Sequence, residues 1–308
     1  MARKPTTPPI ARKVISSLFS LKAGRVVNLA AWRKGMAEAK RLGDTSRPSA
    51  EAEAVSRVFA AYTFVTNWVM GLLEVIQELP ELGPCVDRIQ KAEEEYMPSG
   101  PPMSPLTKSF FWHWMLYDVG VGAARETFGS VILAVGRQFK LAPEFLLVLE
   151  HLVEARLGLF IHGGQDGDRS VLRDLGTGEE HRAVCPAGYP GTSGELWLAR
   201  VVPPLVPGSE SVVMTTPYLI VGPDVAAWRE YLDRTLSKTG LADRVCAYER
   251  LMKRGLDERY WAEYVFEAYV NHRPEVIFLR GLPDVPESRP HSKVNADKES
   301  FLVGGGGR

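Results

Sequence analysis

Glu263, Glu267 and His272 border the segment WAEYVFEAYVNHRP, and of all spacings in the chain theirs points most directly to chemistry. On a continuous helix, positions i and i+4 share one face, and His272 follows about one turn further on. Two carboxylates and an imidazole on one face can hold a divalent metal, so a metal-dependent hydrolase is one reading. Acids on the solvent side of an amphipathic helix give the same pattern with no chemistry attached. His162-Gly-Gly-Gln-Asp166-Gly-Asp168 also offers an imidazole and two carboxylates. It lacks the spaced acids and closing Glu of an EF-hand loop, and a tight inter-strand turn accounts for it.

Nucleophilic chemistry finds little support. Gly191-Thr-Ser193-Gly194 falls one residue short of the Gly-x-Ser-x-Gly elbow. Cys185 and His181 lie on one predicted strand, ~13 Å apart at ~3.3 Å per residue, too far for a proton transfer. GVGAARETFG (120–129) opens like a dinucleotide fingerprint, but Arg125 stands at its third glycine position. An aromatic helix precedes it instead of a strand, so a tight turn between helices is the better account. Phe110, Trp114 and Tyr117 recur at i, i+4, i+7 and read as core, with His113 and Asp118 off that stripe and His113 facing solvent.

The elements that must position these residues divide into helices, a β module and more helices. Ala11–Leu42 is helix-forming, with an interruption near Lys22-Ala-Gly24. Ser49 caps a long helix over Ala50–Leu79 whose apolar positions recur every three or four residues. Pro80 ends it, and a second helix runs from Pro84 to Tyr96. Residues 97–105 hold four prolines and form a connector. Helices follow at 106–118, 126–139 and 142–158. Short β-rich runs then occupy Leu159–Ile161, Ser170–Leu175, Glu180–Val184, Leu196–Val202 and Val212–Val221, separated by Gly, Pro and Asp turns. Pro223 restarts helices at 224–237, 241–253 and 257–269, and Pro274–Arg280 is a last strand or extended return. The expected architecture is α+β: mostly helical, with a small antiparallel module, barrel-like or curled, between helical segments. Its divisions are 1–48, 49–157, 158–222, 223–287 and a tail at 288–308.

Composition fits an ordinary globular chain of 308 residues, 45% hydrophobic, with formal net charge zero. Three scattered cysteines suggest neither a disulfide framework nor a zinc site, and a reducing cytoplasm is the expected location. No run is long enough to span a bilayer: the most apolar, Val58–Leu73, is interrupted by Thr63, Thr66 and Asn67. Charge is uneven. Residues 1–41 hold ten Lys or Arg against one acid, so the remainder carries −9. This basic head, with Arg12, Lys13, Lys22, Arg25, Arg33 and Lys34, either docks on the protein's own acidic body or meets nucleic acid or another anionic surface.

Residues 110–235 run through FFWHWMLYD, ETF, LAPEFLLVLEHLVEARLGLF, LRDLGTGEE and GELWLARVVPP. That order resembles a bacterial set of proteins related to SEC-C-motif proteins, in which a helical region feeds a small β module with an LRDL-TGE hairpin. The dense Cys/His zinc motif of that group is absent, so the resemblance implies an architecture and no catalytic or metal residue. With no complete catalytic constellation and no cofactor motif, the leading expectation is a non-catalytic binding or regulatory module with a protein partner. The alternatives are nucleic-acid binding through residues 1–41 and the metal-dependent site at Glu263, Glu267 and His272.

Overall fold

The structure, a computed structural model, describes residues 7–23, 56–77, 79–97 and 107–292. The chain forms two compact units, each assembled from separated segments. One comprises Met1–Ala92, His113–Glu154 and Leu205–Pro207; the other Glu93–Trp112, Ala155–Pro204 and Gly208–Arg308. Among the described residues the helices are α1 (Pro9–Ala23), α2 (Arg57–Ile76), α3 (Gly83–Tyr96), α4 (Lys108–Tyr117), α5 (Phe128–Gln138), α6 (Pro143–Glu154), α7 (Val225–Leu236), α8 (Arg244–Arg254) and α9 (Tyr260–Ala268). The strands are β1 (Leu157–Asp166), β2 (Arg169–Asp174), β3 (Glu180–Val184), β4 (Leu196–Val202), β5 (Ser211–Val213), β6 (Tyr218–Ile220), β7 (Tyr269–Arg273) and β8 (Val276–Leu279).

The first unit is helical. In it α1 packs on α5, α5 on α6, and α2 on α6. Phe145 of α6 meets the edges of Trp68 and Phe64 of α2, at 4.8 and 6.5 Å between ring centres. Tyr62 and His151 share a hydrogen bond of 2.9 Å. Ser56 caps α2, seven residues after the expected Ser49, which lies outside the described residues. Thr127 and Ser130 form a reciprocal capping box that starts α5. The amide groups of Ile10 and Ala11 in the first turn of α1 both donate to the buried Glu126 carboxylate, at 2.8 Å each. Glu126 comes from the turn closed by the Val121–Glu126 bridge, in the GVGAARETFG segment. Ser17 donates to Glu81 further along α1, while Ala11 and Val14 are buried.

The second unit is built on one sheet in which β1, β2, β3, β5 and β4 follow in that order and β4 pairs back to β1. A small five-stranded barrel is thereby closed. Beyond it β4 also pairs with β6, and β8 and β7 extend the sheet. Two ladders are parallel, β3 with β5 and β6 with β8; the rest are antiparallel. The expected run Val212–Val221 is two strands because Thr215-Thr216-Pro217 interrupts it, and proline cannot donate to a ladder. Alternation sends Phe160, Leu172, Ala183, Trp197, Ala199 and Val213 to one face, where they form a single core cluster with Leu219 and Val276. Leu198, Val202, Ile220, Ile277 and Leu279 on the opposite face are buried as well. Outward positions of β2 and β3 differ: Arg169, Arg173, Glu180 and Arg182 are exposed.

Candidate functional site

The hairpin between β2 and β3 carries Arg-Asp-Leu-Gly-Thr-Gly, and its buried Asp174 organises the turn. One carboxylate oxygen accepts the amides of Gly176 (2.8 Å) and Thr177 (3.1 Å). The other accepts both terminal nitrogens of Arg156, at 3.2 and 3.1 Å. Tyr248 of α8 donates its hydroxyl to Asp174, and its oxygen accepts the Leu159 amide at 3.0 Å. The Arg156 guanidinium lies 4.9 Å over the Tyr248 ring. Gly176 lies so close beneath that ring that a Cβ there would come within 2.3 Å of it. This carboxylate is spent on four donors and one hairpin. Its work is architectural.

A second polar cluster closes one end of the barrel, beneath the loop that joins β3 to β4. Glu195 accepts from Tyr189 Oη (3.0 Å), the Thr192 amide (3.0 Å) and Trp197 Nε1 (3.1 Å). Hydrogen bonding to that carboxylate adds to burial in pushing the Tyr189 hydroxyl up to about 12. His162, 0% exposed, lies against Trp197 with ring centres 4.9 Å apart and planes tilted by 40°. Its Nδ1 accepts the Gly164 amide at 3.1 Å, so the proton sits on Nε2, which donates to the Pro190 carbonyl. Gln165 donates to the same carbonyl and, at 3.0 Å, to Ser170. Gly191 has φ +71°, and a Cβ there would stand 2.5 Å from Trp197 and 2.7 Å from His162. Gly191→Ala is therefore expected to cost about 2 kcal/mol from left-handed strain and overpacking, read as a lower urea midpoint at unchanged slope.

The residues singled out in the sequence fall as follows. Helix α9 ends at Ala268, and His272 stands on β7, exposed, with its Nδ1 2.7 Å from the Tyr269 hydroxyl. Glu267 is paired with Arg289 at 2.5 Å and Glu263 lies 3.9 Å from Arg259. The structure does not bring the three together, and among the described residues no group of three or more His, Cys, Asp or Glu is placed to hold a metal ion. The physical reason is the switch from helix to strand after Ala268, which takes His272 off the carboxylate face. Arg12 and Lys13 are exposed on α1, and Lys22 lies in its last turn. Arg25, Arg33 and Lys34 lie outside the described residues. His162 is not a turn residue: β1 continues through Asp166 over a bulge, and the turn is Gly167-Asp168. His113, expected at the surface, is buried, as are Phe110, Trp114 and Tyr117. Helix α4 is apolar on every side, so no polar face exists to receive the imidazole.

Sequence reasoning missed Arg156, Glu195 and Tyr248. Trp197 between two apolar neighbours in a β run was a legible core position, and Glu195 two residues earlier shares its face by strand alternation. Arg156 and Tyr248 come from 18 and 74 residues away, and no local pattern marks them. The fold and site together define a mixed α+β protein centred on a closed five-stranded barrel with a three-strand extension. No family model, curated protein or solved structure matches the chain. Among the described residues no helix is long and apolar enough to cross a membrane.

Proposed function

We propose that the protein is a non-catalytic binding module that meets a protein partner through the exposed wall of β2 and β3. The observation that carries the reading is the contrast between walls: outward side chains of β4, β6 and β8 are buried, whereas on β2 and β3 the outward Arg169, Arg173, Glu180 and Arg182 are exposed beside half-buried Val171 and buried Val184. Asp174, Glu195 and His162, which have the chemistry for catalysis, are each engaged by several donors or acceptors of the fold itself. The three cysteines are free thiols, in keeping with a reducing compartment. The SEC-C-type resemblance contributes only its helical-plus-β architecture.

Nucleic acid is the second reading, and topology favours it. The closed order β1-β2-β3-β5-β4 with β3 parallel to β5 is that of OB-type barrels, whose β2–β3 wall receives oligonucleotides or oligosaccharides. A shared fold does not assign a ligand. A phosphate-binding wall gathers cations of one sign. Here Arg182 lies 3.2 Å from Asp166, Arg169 lies 3.9 Å from Asp168 and Glu210, and Arg173 stands opposite Glu180 in register. Interleaved charge suits a protein surface better than a phosphate chain.

The test is affinity capture with the wild type and with Arg173→Glu/Arg182→Glu, alongside fluorescence anisotropy on a single-stranded oligonucleotide. The double variant is expected to lose the captured partner while its thermal stability changes by no more than about 0.5 kcal/mol, as surface substitutions do. Retention of the same partners by the variant contradicts the reading. So does oligonucleotide binding that falls steeply between about 50 and about 200 mM salt.

A further inference from the structure

We propose that the loop joining β3 to β4, residues 185–195, is a strap over the barrel end that is released when His162 takes up a second proton. The proposal goes beyond the binding reading and does not depend on it. Three sets of bonds hold the strap: Pro190 to His162 and Gln165, the backbone of Gly194 and Glu195 to that of His162 at 2.8 Å each, and, within the loop, Tyr189 and Thr192 to Glu195 and the Gly188 amide to the Cys185 carbonyl. Only the first depends on a group that titrates near neutrality.

In the neutral ring Nδ1 is an acceptor for Gly164 and Nε2 a donor to Pro190. Protonation puts a hydrogen on Nδ1, so two donors then face each other across 3.1 Å with no room to turn. The ring is confined by Trp197 on one side and Gly191 on the other, whose backbone leaves no space for even a Cβ. Relief requires the imidazolium to leave its slot, and Pro190 and Gly191 leave with it. The charged group facing the ring is the Glu195 carboxylate, which favours the imidazolium; Gln165, Trp197 and Pro190, which also lie against it, are neutral. Burial outweighs Glu195, whose charge is already met by three donors, and holds the imidazole below its ordinary range. A group depressed on folding gives stability that is full above its unfolded value and is lost as pH falls toward its folded one. The strap is therefore closed at neutral pH and opens on acidification.

Amide hydrogen exchange on the intact protein tests this, with rates corrected for intrinsic pH dependence. Between about pH 7 and about pH 5, protection at Gly164 and Gly194 is expected to fall by roughly ten-fold or more, the change one unit of differential protonation produces. Protection at Ala199, within β4, stays constant. His162→Gln, which keeps a donor toward Pro190 and does not titrate, is expected to lose that pH dependence. Unchanged protection in the wild type, or an equal fall in the variant, overturns the proposal. Should the variant fail to fold, NMR titration of the His162 ring in the wild type decides: a midpoint at or above the ordinary imidazole value contradicts it.

Discussion

Replacing Asp174 by alanine is expected to destabilise the barrel-bearing unit by about 3–5 kcal/mol, the cost of breaking a buried charge pair by removing one partner. The substitution strands the Arg156 guanidinium, which is paired with Asp174, and leaves the Gly176 and Thr177 amides without their acceptor. It also removes the group to which Tyr248 donates, loosening α8 from β1 at the Leu159 contact. Asp174→Asn is expected to fall between wild type and alanine. One amide oxygen still serves the turn, but Arg156 loses its counter-charge. A double-mutant cycle with Arg156→Met, followed by urea unfolding, checks the assignment: a coupling of about 0.5–3 kcal/mol is expected, and additive losses would count against it.

Glu126→Ala is the corresponding prediction for the helical unit, with an expected loss of about 2–4 kcal/mol. Two N-terminal amides of α1, that of Ala11 buried and that of Ile10 part-buried, lose their acceptor, and each unmet buried donor costs about 1–3 kcal/mol. The carboxylate also complements the positive end of the helix dipole. Glu126→Gln keeps one oxygen and turns an NH2 toward the second amide, so an intermediate loss is expected. Hydrogen exchange at residues 10–16 gives the direct reading, with protection falling in that segment first. Since Glu126 holds α1 through its backbone, Arg12 and Lys13 ride on a docked helix.

Much of the architecture was legible because local signals agreed. Strand β4 matches its expected bounds, since LWLARVV is apolar except for Arg200 and lies between Gly194-Glu195 and Pro203-Pro204. Helices α3, α5, α6 and α7 start near Pro84, Thr127, Pro143 and Asp224, residues that begin helices for identifiable reasons. Strand β7 was hidden because YVNHR follows a helix without glycine or proline between them, and only Pro274 marks an end. The LRDLGTGEE hairpin was legible as a turn, yet not as a site of assembly. The residues that complete it, Arg156 and Tyr248, are joined to Asp174 by the closure of the barrel and the docking of α8, and no local spacing encodes either. His162 misled for a related reason: the glycines after it suggested a loop, where they serve a bulge that keeps the ring inside.

The central functional claim is that partners meet the β2–β3 wall. Hydrogen-exchange footprinting of the full chain with its captured partner tests it most directly. The account predicts new protection at residues 169–173 and 180–182, with the amides of β6 and β8 unchanged. Protection confined to α1 or to the segment around Glu263 and His272, with the wall exchanging as in the free protein, would contradict it.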